Sequence, residues 1–293
     1  MILEVTSSRA NELVDPAFHV WGWEIPVYLF VGGLVAGMMA ISGYFMLRGH
    51  GTKRETVTHL LPVLGLAFLT LGMVALFLDL ESKLHVWRFY TTFQVTSPMS
   101  WGSWILLLVY PAMLAQLLLR PPAWLTARFA PAAAASRRLR AVPRIETVVA
   151  VANVALGALL GVYTGVLLSG LSAAAAFVHQ EARDPDERVL LARADNAFLG
   201  LELAVVCLFL IGLVTSTRAH AEAAGLFLGG PYTAVFWVLV VGIGLVVPLL
   251  IQSLATRHVI RHTPVAPLLV LAGGLLLRFV VVYAGQASHW NLI

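Results

Sequence analysis

Apolar residues run along this chain in unbroken stretches of about twenty, with short polar stretches between them, instead of alternating or forming a one-sided helical stripe. A helix of that length, rising about 1.5 Å per residue, covers a hydrocarbon core of roughly 30 Å. The pattern predicts spanning helices at 22–47, 57–78, 101–119, 146–169, 197–216, 232–255 and 265–284. Continuous runs exclude a membrane β-barrel, whose strands alternate. One run does not fit. Residues 147–178 form 32 apolar positions, roughly 48 Å as a helix, too long for one crossing and too short for two with a turn. A break is expected near Leu168-Ser169-Gly170-Leu171.

Loop charges orient the spans, since Lys and Arg stay on the cytoplasmic side. Segment 48–56 carries three, 80–99 two (Lys83, Arg88), and 120–144 six. The N-terminus is therefore expected outside and the proline-bounded, basic 120–144 connection inside. If 147–178 crosses once, Arg183, Arg188 and Arg193 lie outside. If a second crossing or re-entrant return is hidden there, 178–196 and 256–263 are both inside, which obeys the rule better. The expectation is thus an all-α polytopic bundle with seven clear transmembrane helices, and a truncated eighth at 170–179 is left open. Residues 1–293 read as a single membrane domain. The polar 1–18 segment lacks a signal-peptide pattern and is expected to be kept.

Composition narrows the class. The chain is 59% hydrophobic and 12% charged, with a mean hydropathy of +0.86, outside the range of soluble domains. A single cysteine, Cys207, excludes internal disulfides, thiolate-held iron–sulfur clusters and structural zinc within this chain. Of nine histidines only His59 approaches a helix interior, so a haem held by two histidines is excluded. The net charge of +4 is ordinary for basic cytoplasmic loops and implies no nucleic acid. No internal repeat and no phosphate-binding loop is visible.

Ionisable groups are costly in a bilayer, so each one near a span is a candidate. Glu24 opens the first helix after Trp21 and Trp23. Asp79 and Glu81 end the second, TSPMSWGSW (96–104) opens the third, and Tyr163 and Thr164 fall late in the fourth. With the N-terminus outside, all four ends meet at the outer leaflet. Plainer readings stand beside this one. The tryptophans suit an interfacial belt, Ser97 or Ser100 a helix cap with Pro98 in the first turn, Asp79 and Glu81 a solvated cluster with Lys83 and Arg88, and Gly32-Gly33 with Ala36-Gly37 close helix packing. Arg278 lies deep in the last run. Glu202, with Asp195 seven residues before it on the same face, is similarly placed. These three read either as a buried ion pair or as a proton relay.

Several strings together resemble one family: "FVGGLVAG", "DLESKLHVWRFYTTFQVTSPMSWGSW", "GVYTGVLLS", "GPYTAVFWVLVVGIGLVVPLL" and "GGLLLRFVVVYAGQ". In this order, over about 18–287, they are similar to the NrfD/PsrC family of polysulfide-reductase-like membrane subunits. The resemblance implies eight helices with both termini outside in a prokaryotic inner membrane, and no haem or cluster in the chain. It implies a menaquinone or ubiquinone site near the outer face, whose electrons pass to or from a four-cluster iron–sulfur partner docked to a molybdopterin-type catalytic subunit. Carried over by position, Tyr28 stands where a family histidine can contact the quinone and Tyr163 matches a tyrosine near the headgroup. Asp79, Ser97, Trp101 and Trp104 line neighbouring helix ends, with Thr164 beside Tyr163, and Glu24 is placed to accept a proton. One departure is clear. After "TGVLLS" the family has a further loop and half-helix, whereas here "LLS" runs into "GLSAAAAFVH", about twenty residues short.

The leading expectation is a quinone-binding electron-transfer subunit. A proton-translocating module built on Asp195, Glu202 and Arg278 is the alternative, and a repeat-built transporter lacks its repeat.

Overall fold

The computed structural model describes residues 21–48, 59–80, 83–91, 93–96, 98–164, 171, 185–216, 218–257 and 265–287. Among them every regular element is helical. The chain runs through α1 (Glu24–Leu47), α2 (Leu61–Asp79), a 3₁₀ turn (Lys83–His85) and the short α3 (Arg88–Thr91) into α4 (Pro98–Leu119). Then come α5 (Ala123–Arg128), α6 (Ala130–Arg140), α7 (Ile145–Thr164), α8 (Pro185–Thr215) and α9 (Arg218–Leu228). A π-helix (Val235–Val246) continues directly into α10 (Val247–Thr256), and α11 (Val265–Ala287) follows. Seven of the described helices are long and apolar enough to cross a membrane: Glu24–Leu47, Leu61–Asp79, Ser100–Leu119, Ile145–Thr164, Arg193–Thr215, Val235–Thr256 and Val265–Ala287. The protein is an all-α, multi-pass membrane protein.

Among the described residues two large interiors organise the bundle, beside a smaller cluster of Met46, Leu119, Val149 and Ala150. Tyr28, Val35, Ala36 and Met39 of α1 pack with Leu69 and Ala75 of α2, Leu106, Val109 and Met113 of α4, and Leu160 of α7. A second core joins Leu199 and Val206 of α8, Phe227 of α9, Phe236 and Val240 of the π-helix, and Val270, Leu277 and Val280 of α11. The two meet along α1 and α11.

Small residues permit the close crossings, as expected where lipid supplies no hydrophobic drive between helices. A Cβ on Gly157 of α7 would lie 2.9 Å from the Ala36 carbonyl oxygen and 3.0 Å from Met39 Cβ. In the second core, a Cβ on Gly244 would lie 2.6 Å from Gly273 Cα, so the π-helix and α11 touch backbone to backbone. The small-residue stripe on α1 thus serves packing, and Gly32 faces the Thr164 methyl.

Polar pins hold the first core. Fully buried Asn153 donates from Nδ2 to the Val149 carbonyl (2.8 Å) and across to the Ala112 carbonyl of α4 (3.1 Å), beside Pro111. Ser42 of α1 donates to Gln116 Oε1 of α4 at 3.3 Å.

The connections are more helical than hydropathy alone suggests. The 120–144 segment folds into α5 and α6, with Arg140 Nε donating to the Leu119 carbonyl at 2.7 Å and Arg120 paired with Glu146 at 3.1 Å. Arg128, Arg137, Arg138 and Arg140 sit in the last turns of α5 and α6, where cations suit the dipole. Likewise α8 begins at Pro185, twelve positions ahead of the apolar stretch expected at 197–216. Proline at the first helical position is a favourable helix start, even for a polar segment. The expected break at Ser169-Gly170 and the truncated helix at 170–179 lie outside the described residues, apart from Leu171.

Candidate functional site

At one end of the first core four helix ends converge: the start of α1, the end of α2, the start of α4 and the end of α7. Tyr28 sits in the second turn of α1, only 4% exposed, with its ring 3.7 Å from where a Cβ of Gly72 in α2 would be. Its hydroxyl has no partner of hydrogen-bonding geometry. It lies within electrostatic reach of Tyr163, in the last turn of α7, and of Tyr90 of α3. The Tyr163 ring lies against Gly102 of α4, in the space where any larger residue would carry its side chain. The glycine between the two tryptophans of "SWGSW" is therefore a seat for an aromatic ring.

The remaining polar groups divide into engaged and open. Thr164 donates to the Leu160 carbonyl (3.0 Å), using its hydroxyl proton within its own helix. Trp101 Nε1 donates to the Val95 carbonyl (2.8 Å) and so braces the turn before α4. Ser100 Oγ accepts the Gln94 N–H at 3.0 Å. Trp104 Nε1, by contrast, is buried without a partner, and its ring packs edge-on to Phe93 with centroids 5.9 Å apart. An unpartnered buried donor carries a desolvation penalty that a bound acceptor relieves. Tyr28 and Trp104 are two such donors at this end. Ser97 and Glu81 lie outside the described residues.

A carboxylate pair stands at the mouth. Glu24 opens α1, and its carboxylate folds back against Gly22. Asp79 ends α2, accepts a hydrogen bond from the Gly22 N–H, and lies within charge–charge reach of Glu24. Tyr90 was not singled out by the sequence. Its phenol is pushed above the usual range by burial and then by Tyr110, so at neutral pH it remains a hydroxyl donor. Tyr110 in turn donates to Thr70 Oγ1 of α2 at 3.4 Å.

The deep charged residues occupy the other core. Asp195 and Glu202 of α8 are both buried, 4% and 6% exposed, and the charge of Glu202 acts on Arg278 of α11. Among the described residues no cluster of three or more His, Cys, Asp or Glu is positioned to hold a metal.

The profile of the family described as "Polysulphide reductase, NrfD" matches residues 11–182 and again 171–289. The chain belongs to the NrfD family. It is 28% identical to protein NrfD of Escherichia coli strain K12, over 93% of this chain and 98% of that protein. It is 26% identical to the C subunit of the polysulfide reductase of Wolinella succinogenes, over 91% and 94%, and 26% identical to a protein NrfD homolog of Haemophilus influenzae, over 92% and 95%. The NrfD profile breaks and restarts at 171–182, at the end of the over-long apolar run. The alignment with the Escherichia coli protein spans 317 positions while covering 93% of 293 residues, so this NrfD-family chain carries gaps against its relative.

Proposed function

We propose that this chain is the membrane-anchoring, quinone-binding electron-transfer subunit of a multisubunit redox complex. It exchanges electrons between the quinone pool and an iron–sulfur partner docked to a molybdopterin-type catalytic subunit. It lies in a prokaryotic cytoplasmic membrane as a single membrane domain, with its N-terminus outside. The observation that carries this reading is the pair of buried, unpartnered donors, Tyr28 Oη and Trp104 Nε1, at the aromatic end where Tyr163 and the Glu24–Asp79 pair converge. A flat molecule with two opposed carbonyl or hydroxyl oxygens needs donors on both sides of an apolar slot. Family membership, and a relative that is itself one subunit of a polysulfide reductase, support the assembly part of the reading.

The chemistry balances simply. Oxidation of a quinol to a quinone releases two electrons and two protons. The electrons leave to the partner's clusters, since the single cysteine of this chain is too few to hold a cluster of its own. Tyr28 and Tyr163 orient the headgroup by hydrogen bonds to its oxygens, and Glu24 and Asp79 take the protons towards the outer face. The reverse sequence serves quinone reduction.

Replacing Tyr163 by Phe removes one hydroxyl while keeping the ring on Gly102. Quinol-dependent turnover of the assembled complex is expected to fall about tenfold, the worth of one hydrogen bond to a polar headgroup. Unchanged turnover removes Tyr163 from the site.

The buried Asp195 and Glu202, with the half-buried Arg278, favour a second reading, in which the α8–α11 core conducts protons as the redox state changes. In proteoliposomes Glu202→Gln would then lower the protons moved per electron without an equal fall in electron transfer. A fall in both alike points to a structural ion pair.

A further inference from the structure

The string "YAGQ" closes α11, and its glutamine reaches across the molecule. From the end of α11, Gln286 Nε2 donates to the Trp21 carbonyl at 2.9 Å, and the Trp21 N–H donates to Gln286 Oε1 at 3.4 Å. One side-chain amide thus satisfies both main-chain groups of a residue 265 positions away. The next residue, Gly22, gives its N–H to Asp79, and the Glu24 carboxylate is folded against the same glycine, where a Cβ would collide with Glu24 Oε2. Trp21 and Gly22 are therefore held from one side by the second core and from the other by the acidic pair.

We propose that Gln286 is a positioning residue: by clamping the Trp21–Gly22 main chain, it fixes the Glu24–Asp79 carboxylate pair at the mouth of the site in the geometry that accepts protons. The inference rests on the quinol reading above and adds a residue to it. It also gives the α8–α11 core a role in the site, since α11 contributes the clamp while α1 and α2 contribute the carboxylates. A side chain at Gly22 would displace the Glu24 carboxylate from its place against the main chain.

The test uses the intact complex in nanodiscs, with Gln286→Leu and the amide-retaining Gln286→Asn. Amide exchange at Trp21 and Gly22 is expected to rise about tenfold in Gln286→Leu, as expected for the loss of a native hydrogen bond. Quinol-dependent kcat should fall about tenfold with KM within about twofold of wild type, because proton removal and not quinol binding is disturbed. Gln286→Asn should lie between wild type and Leu on both readings, and carries the test if Gln286→Leu fails to assemble. Unchanged exchange, or raised exchange with unchanged kcat while Glu24→Gln lowers kcat, overturns the proposal. If Glu24→Gln, Asp79→Asn and Tyr163→Phe all leave turnover intact, the quinol reading itself fails, whereas the exchange measurement still judges the clamp alone.

Discussion

Gly102 shows most clearly how single residues build the site. It is flanked by two tryptophans in a string that also reads as a capped helix start with an interfacial aromatic belt. Trp101 has a structural part of its own, its indole N–H donating to the Val95 carbonyl and holding the turn before α4. Gly102 adds the seat for the Tyr163 ring, and a methyl group there would displace that ring. Gly102→Ala is therefore expected to lower quinol-dependent turnover about as far as Tyr163→Phe, roughly tenfold, with the complex still assembled. Wild-type turnover in that variant would mean the ring's position is immaterial. Trp104→Phe keeps the edge contact with Phe93 but deletes the unpartnered N–H. It is expected to weaken binding of a quinol analogue, by about five- to tenfold in Kd. Glu24, Asp79, Trp104 and Tyr163 were legible as candidates because hydropathy brings their helix ends to one face. Tyr90, Gly102 and Gln286 were not, because each acts through a partner on another helix, and sequence spacing holds no record of that pairing.

At the scale of elements, apolar run length located all seven spans, since a bilayer demands one continuous apolar stretch per crossing. It missed what hydropathy does not encode. The polar start of α8 and the amphipathic α6, with its arginines in the last turn, are helical without an apolar run to announce them. The π-helix arises within an uninterrupted apolar run, where an i→i+5 ladder leaves no compositional mark. Where that π-helix crosses α11, Gly244 and Gly273 meet without room for a side chain. Gly273→Leu is expected to destabilise the second core by about 1–3 kcal/mol, read as a lower thermal midpoint in detergent. Because the site stands in the first core, quinol-analogue affinity below that midpoint should change little. An equal loss of affinity would show that the two cores are not separable in this way.

For the whole molecule, the two cores divide the work. The first carries the aromatic end, the open donors and the acidic mouth, and the second carries the buried Asp195 and Glu202 and the half-buried Arg278 together with the clamp from Gln286. In the proposed role the electrons of a quinol pass to a partner, since one cysteine is too few to hold an iron–sulfur cluster. Purified alone, the chain is expected to bind a quinone analogue yet show no quinol-dependent reduction of a soluble acceptor, until the iron–sulfur partner is added. The central claim is the place of the quinone, and photoaffinity labelling with an azido-quinone, mapped by mass spectrometry, tests it most directly. The label should appear on peptides containing Glu24–Tyr28, Ser100–Trp104 and Tyr163–Thr164, and excess unlabelled quinol should displace it. Label confined to α8 through α11, or label that quinol does not displace, would contradict the account.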